Sequence, residues 1–167
     1  MTADEDAPRT ERADEAPRAK PGGDLPTTEP DDELPGTKPG DELPPLEIEV
    51  TRTLIVAGAI ASRDYQDVHH DPELARRKGS PDIFMNILTT NGLVGRYITD
   101  HFGPRAVLRK VAIRLGAPNY PGDTMVLTGT VEEVSGDTAT VRVVGANGIG
   151  RHVTATVTVT LPAGGAA

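Results

Sequence analysis

The 167-residue chain is expected to fold as α+β, one long helix wrapped by an antiparallel sheet of five or six strands. Three observations predict it. Val153, Ala155, Val157, Val159 and Leu161 alternate with Thr154, Thr156, Thr158 and Thr160, the pattern of a strand with one buried and one solvated face. Ile83, Phe84, Ile87, Leu88, Val94, Tyr97 and Ile98 fall on one broad helical face through about residue 100. Strand-like segments stand on both sides of that helix, one before it and four after. With three Tyr, two Phe and no Trp, the core is left to Val, Ile, Leu and Ala.

Taken in order, residues 1–45 read as a disordered acidic tail rich in Pro and Gly, and residues 46–167 as a single domain. The tail holds thirteen Asp and Glu against five Lys and Arg. Its large apolar residues are few beyond Leu25, Leu34 and Leu43, too little surface to offset the entropy of ordering it. A loose repeat runs through it: Gly23-Asp24-Leu25-Pro26, Asp32-Glu33-Leu34-Pro35 and Asp41-Glu42-Leu43-Pro44. From Leu46 the pattern has period two. Leu46, Ile48, Val50, Leu54 and Val56 share one parity, which predicts an extended segment interrupted at Arg52.

Asp71–Lys78 suits a short helix with Asp71 as N-cap and Pro72 at its first position. Arg76, Arg77 and Lys78 then complement the macrodipole at its end. The long helix over 83–100 contains Thr90-Asn91-Gly92, which in isolation reads as a turn. Val107–Ala117, Thr124–Val134 and Thr138–Val144 read as strands. Tyr120-Pro121-Gly122-Asp123 matches a type II turn, Ser135-Gly136-Asp137 a hairpin, and Ala146-Asn147-Gly148 the bend before the last strand.

The net charge of −8 comes from 25 acidic and 17 basic side chains and lies entirely in the tail. A neutral body has no cationic surplus to neutralise phosphates, which argues against a nucleic-acid surface. No apolar run approaches the length that crosses a bilayer, and the first twenty residues lack the apolar core of a secretory signal. A cytoplasmic domain is the expectation. The absence of cysteine excludes disulfides, thiolate metal ligands and a Cys nucleophile.

Chemistry-bearing residues concentrate between Ala61 and Ala75: Asp64, Asp67, His69, His70, Asp71 and Glu73. An Asp and a His five residues apart can meet across a turn. The carboxylate can take a proton from water, and an imidazole can give or take one at neutral pH. Asp67, His69, His70 and Asp71 also form a conceivable metal set, although adjacent histidines usually point apart. No phosphate loop, nucleophile elbow or His-Glu-x-x-His occurs. By spacing alone the cluster is a possible acid/base pair, or a solvated polar loop.

The string Asp64-x-x-x-Val68-His69-x5-Ala75 resembles the signature of the MaoC-like, R-specific enoyl-CoA hydratases (hydratase 2). Ala117-Pro118-Asn119-Tyr120-Pro121-Gly122-Asp123-Thr124 resembles the family's turn between strands. Arg63 to Asp71 and Asp82 to Thr89 are similar, more specifically, to the small catalytic subunits of actinobacterial steroid side-chain enoyl-CoA hydratases. The resemblance covers about Thr53 to Leu161. It implies a hot-dog fold, with water added across the double bond of a steroid enoyl-CoA during side-chain degradation. No resident cofactor or metal is implied, since the substrate brings its own coenzyme A. A second MaoC-like subunit is implied as partner, in a heterotetramer.

The same resemblance assigns Asp64 and His69 as the catalytic pair, Asp64 as base on the water and His69 orienting it and helping to protonate the α-carbon. It puts the oxyanion-binding N–H at Asn86 or its neighbour Ile87, at the start of the long helix. The chain departs from the family where Asn-Pro usually follows the Asp, having Gln66 and Asp67, and where Gly usually stands, having Asn86. His70 reads as structural, and Arg109, Lys110 and Arg114 as a surface face that could also meet CoA phosphates. Two alternatives stay open: a homodimeric R-specific hydratase of fatty enoyl-CoA, and a non-catalytic scaffold subunit. Retention of both Asp64 and His69 argues against the scaffold. A hot-dog thioesterase often carries a carboxylate near the long helix, and residues 84–99 contain none.

Overall fold

The computed structural model describes residues 36–161. In chain order these form β1 (Glu42–Val50), α1 (Arg52–Ala61), a single 3-10 turn (Asp67–His69), α2 (Pro72–Arg77), α3 (Ile87–Phe102), β2 (Val107–Leu115), β3 (Asp123–Ser135), β4 (Thr138–Asn147) and β5 (Gly150–Thr160). The five strands make one antiparallel sheet in the order β1-β3-β4-β5-β2.

The sheet curls. Five strands laid flat span about 19 Å between edges, nearly twice the width of a helix with its side chains, yet α3 touches β1 at one edge, β2 at the other and β5 between them. The inner face is built by alternation: Met125, Leu127 and Val131 on β3, Ala139, Val141 and Val143 on β4, and Val153, Ala155, Val157 and Val159 on β5 are buried. Val94, Tyr97, Ile98 and Phe102 of α3 close the core from the other side. The expected helix wrapped by a sheet is therefore present, with five strands among the described residues.

Three expectations need correction. The strand beginning the domain starts at Glu42, inside the segment read as tail. Leu43 is buried and pairs with Gly129, so the leucine of the third Leu-Pro unit belongs to the core while Glu42 and Pro44 beside it are exposed. The other two units, with the rest of residues 1–35, lie outside the described residues.

The extended segment expected to run through Val56 ends at Val50. Thr51 caps α1 by accepting a hydrogen bond from the Leu54 N–H at 3.0 Å, and Ile55 and Ala59, one helical turn apart, face the core. Leu54 and Val56 share the parity of β1 only because any alternate residues of an apolar run do so.

The long helix starts at Ile87 rather than Ile83. Residues 83–86 lie outside any helix or strand, with Ile83 and Met85 buried, Phe84 N–H bonded to Val68 O and Met85 N–H to Asn119 O. The helix continues to Phe102, past the expected end, and Thr90-Asn91-Gly92 lies inside it. The expected turns fall in place, with Gly122 at φ 92° and Gly136 at φ 60°. Asp71 caps α2 through Glu73 and Leu74 N–H, with Pro72 opening the helix.

Candidate active site

Asp64 is positioned by the way α1 ends. The Arg63 N–H bonds Ile60 O at 3.0 Å and the Asp64 N–H bonds Ala59 O at 2.9 Å. These two bonds define a Schellman termination with Arg63 in the left-handed conformation, φ 56°, a position usually held by Gly. A side chain there costs about 1–2 kcal/mol. The next turn brings the second group. His69 N–H bonds Gln66 O at 3.0 Å, and the 3-10 turn carries the imidazole back so that Nε2 lies 3.3 Å from Asp64 Oδ2.

The His69 side chain is 8% exposed and that of Asp64 18%, so the pair is largely buried, with the carboxylate the more accessible of the two. His69 Nδ1 lies 2.7 Å from Phe84 O. A carbonyl only accepts, which fixes a proton on Nδ1 and turns Nε2 toward the carboxylate. Contact with a carboxylate through Nε2 then requires a proton between them, on the imidazole or on the acid. The Phe84 ring meets the imidazole edge to face, 5.1 Å between centroids.

Asn86 completes the arrangement. Its Nδ2 donates to Asp64 Oδ2 at 3.0 Å and to Ser62 Oγ at 2.9 Å, while its Oδ1 accepts from the Thr89 N–H at 2.9 Å as the N-cap of α3. Oδ2 of Asp64 is thus held twice. Oδ1 has only a long contact, 3.5 Å, to the Gln66 N–H, and is open to a water. Thr89 N–H is taken by the cap, while the N–H groups of Ile87 and Leu88 have no carbonyl four residues back to accept them. Both residues are half exposed, at the positive end of the helix dipole. The set brings a base, a proton donor and a helix N-terminus together within a few residues' reach.

Supports lie behind it. Gly58 of α1 packs directly on Thr89 of α3, fixing the crossing that brings Asp64 to Asn86. Arg52 and Asp82 make a two-pronged ion pair, one arm 3.0 Å, tying α1 to the loop that carries Phe84. The Arg52 guanidinium holds the Asp82 carboxyl below its ordinary range. His152 is fully buried, with Nδ1 donating to Ala117 O at 2.6 Å and Nε2 2.9 Å from Thr90 Oγ1. Burial pushes its imidazole below the usual value, partly offset by the Ala117 carbonyl. Asn119, also buried, accepts from Asn147 Nδ2 at 2.7 Å and faces the sulfurs of Met85 and Met125.

Of the residues singled out in the sequence, Asp64, His69 and Asn86 come together, with Ile87 beside them. The rest of the acidic and histidine cluster disperses. His70 Nε2 reaches Tyr65 O, Asp67 pairs with Lys78 at 2.9 Å, and Asp71 caps α2. Lys78 draws the Asp67 carboxyl below its ordinary range. Among the described residues no group of His, Asp or Glu is arranged to hold a metal ion. Arg109 bonds Thr160 Oγ1 on the sheet surface. Spacing did not reveal the Asn86 side chain as partner of Asp64, nor Ser62, Phe84 O or the His152–Thr90 contact. An Asn before an apolar helical run is a cap signal, and it was available for Asn86.

Residues 34–156 match the MaoC like domain. The chain is 53% identical over 105 residues to the 3-oxo-4,17-pregnadiene-20-carboxyl-CoA hydratase beta subunit of Mycobacterium tuberculosis, a match covering 63% of this chain and 81% of that protein. Its fold superimposes on the crystal structure of the ChsH1-ChsH2 complex from Mycobacterium tuberculosis with a TM-score of 0.74 and 48% identity, covering 75% of this chain and 99% of that one. The (R)-hydratase from A. caviae involved in PHA biosynthesis is similar in fold, with a TM-score of 0.71 over 77% of this chain and 99% of that one, at 18% identity.

Proposed function

The chain belongs to the MaoC-like domain family, a hydro-lyase with the hot-dog fold, and we propose that it is the catalytic subunit of a hydratase acting on a steroid enoyl-CoA in side-chain degradation. The observation that carries this reading is the Asp64–His69 contact at 3.3 Å, held by Asn86 at the start of α3. The steroid thioester follows from the substrate named for the mycobacterial relative at 53% identity.

The reaction proceeds as a proton-balanced addition. Asp64 takes one proton from a water, whose hydroxyl oxygen bonds to the β-carbon. The electron pair of the double bond moves toward the thioester, and its oxygen gains charge beside the Ile87 N–H. Ile87 is the better donor than Asn86, because Asn86 is buried and its side chain is engaged by Asp64. The helix dipole and a preorganised N–H stabilise that charge. His69, protonated on both nitrogens, gives its Nε2 proton to the α-carbon. The proton on Asp64 then passes to His69 Nε2 and resets the pair. No electrons are exchanged with an external acceptor, so the reaction calls for no resident cofactor.

A second MaoC-like subunit completes the assembly, in a heterotetramer. The mycobacterial structure is a complex of two components, ChsH1 and ChsH2, and β2, nine residues long, forms an open edge of this sheet of the kind that invites strand pairing. A CoA thioester is an intracellular substrate, so the reading carries a cytoplasmic location with it.

The test follows loss of enoyl-thioester absorbance with the full chain, alone and mixed with a MaoC-like partner, on steroid and straight-chain substrates. Activity with the partner on the steroid thioester, lost in Asp64→Asn, supports the reading. Full activity of Asp64→Asn sinks it and makes the chain a scaffold, and activity of the chain alone on straight-chain substrates favours a homodimeric fatty-acyl hydratase.

A further inference from the structure

Arg63 stands out on three counts. Among the described residues it is the non-glycine with a left-handed backbone, φ 56°, a conformation strained for any side chain. Its guanidinium is exposed and without a hydrogen-bond or ion-pair partner among the described residues. The other cations between residues 52 and 78 are engaged: Arg52 by Asp82, Arg76 by Pro81 O, Arg77 by Glu73 and Lys78 by Asp67. Finally, it immediately precedes Asp64, and Tyr65, on the other side of Asp64, is 67% exposed. The carboxylate turns inward while an unpaired cation and an open aromatic ring stand outward around it.

A guanidinium recognises phosphate through paired hydrogen bonds, and an exposed ring offers a face to a purine. The ligand chemistry is therefore that of a nucleotide. Building on the functional reading above, we infer that Arg63 and Tyr65 form a rim subsite for the adenosine-phosphate end of the coenzyme A carrier, Arg63 on a phosphate and Tyr65 against the base. Thermodynamic preference alone would put Gly at residue 63. The long cation held there in a strained backbone has a use if the carrier docks beside the reacting pair.

The experiment uses the full chain with its partner subunit and the variants Arg63→Gly, Arg63→Lys and Tyr65→Ala. Calorimetry measures binding of 3′,5′-ADP, the phosphate-bearing fragment of the carrier, without turnover. Arg63→Gly is expected to weaken that binding about tenfold, the loss of one charge-assisted contact at an open rim, Arg63→Lys to weaken it less, and Tyr65→Ala to weaken it independently. Steady-state rates then compare a CoA thioester with the N-acetylcysteamine thioester of the same acyl group. In Arg63→Gly the ratio of kcat/KM for the two falls by a similar factor, through KM, and Tm does not drop. Wild-type protein that fails to bind 3′,5′-ADP, or an Arg63→Gly variant that binds it as tightly or loses equally on both thioesters, overturns the subsite. Failure of the wild type to hydrate any enoyl thioester overturns the functional reading instead, because the ADP measurement does not depend on turnover.

Discussion

Asn86 divides its side chain between two structures: Nδ2 holds Asp64 Oδ2 at 3.0 Å while Oδ1 caps α3 through the Thr89 N–H at 2.9 Å. The same amide that starts the helix orients the candidate base. Two variants separate these tasks. Asn86→Asp keeps a good cap but sets a second carboxylate against Asp64, so that the two cannot both ionise. Its Tm falls at neutral pH, where one carboxyl must stay protonated, and recovers toward the wild-type value as pH is lowered, while kcat falls about 100-fold or more, a loss on the scale of acid–base catalysis. Asn86→Ala removes the cap as well, lowering stability by about 1 kcal/mol. Thermal melts beside steady-state rates test both, and equal kcat for Asn86→Asp and wild type would dismiss the orienting role.

His69→Gln retains a polar side chain without a titrating nitrogen. Hydration by this variant is expected to drop by about 10²–10⁴-fold in kcat, with little change in KM. Single-turnover rates on the steroid thioester provide the check. A variant with wild-type kcat would leave Asp64 as the single proton-transfer group.

At the crossing of α1 and α3, a Cβ added to Gly58 would stand 2.1 Å from Thr89 Oγ1. Gly58→Ala therefore forces the helices apart, at about 1–3 kcal/mol for overpacking, and moves Asp64 relative to Asn86. Thr89 Oγ1 is buried without a hydrogen bond, so Thr89→Ala alone is nearly neutral. The double variant Gly58→Ala/Thr89→Ala recovers much of the loss. A double-mutant cycle in Tm and kcat with no coupling between the two positions would contradict the contact.

Stability is expected to depend on pH through His152. Its folded-state pKa is depressed by burial, so protons bind the unfolded chain first as pH falls. The contribution is complete above the unfolded value, about 6.5, and is lost as pH falls from there toward the folded value. The slope of this single group is at most about 1.4 kcal/mol per pH unit. His101, depressed mainly by burial, titrates in the same direction. Denaturant melts between pH 7.5 and about 5 should show a shallower loss for His152→Gln than for the wild type. Parallel curves would remove His152 as the source.

Much of the architecture was legible because the period was visible. The Thr/Val alternation of β5 has one buried face and one solvated face, and no other element accommodates it. The Asp64 to His69 spacing was legible too, because a 3-10 turn closes that gap locally. Leu54, Ile55 and Val56 were not, since a short aliphatic run fits a strand or a helix equally and only Thr51, as cap, decides. Leu43 was hidden in a repeat whose other two members share its composition; its burial depends on β3, more than eighty residues away in sequence. For Asn86 the sequence offers a role for the backbone N–H at the start of the long helix and none for the side chain beyond a helix cap. That its side chain meets Asp64, 22 residues earlier, depends on the α1–α3 crossing and on Gly58, which no local pattern announces.

Ser62, Asp64, His69, the Phe84 carbonyl and Asn86 lie within one short uninterrupted stretch of chain, whereas both edges of the sheet are joined to it across long stretches of sequence, β1 to β3 and β2 to β5. The candidate machinery is thus a cassette, supported from outside at a few points such as His152 on Thr90 and Asn119 on Met85. A single inserted residue between Ala59 and Asp64 would turn the carboxylate by about 100° around the helix axis. The geometry of the site is therefore set by the length of this one segment as much as by the residues in it.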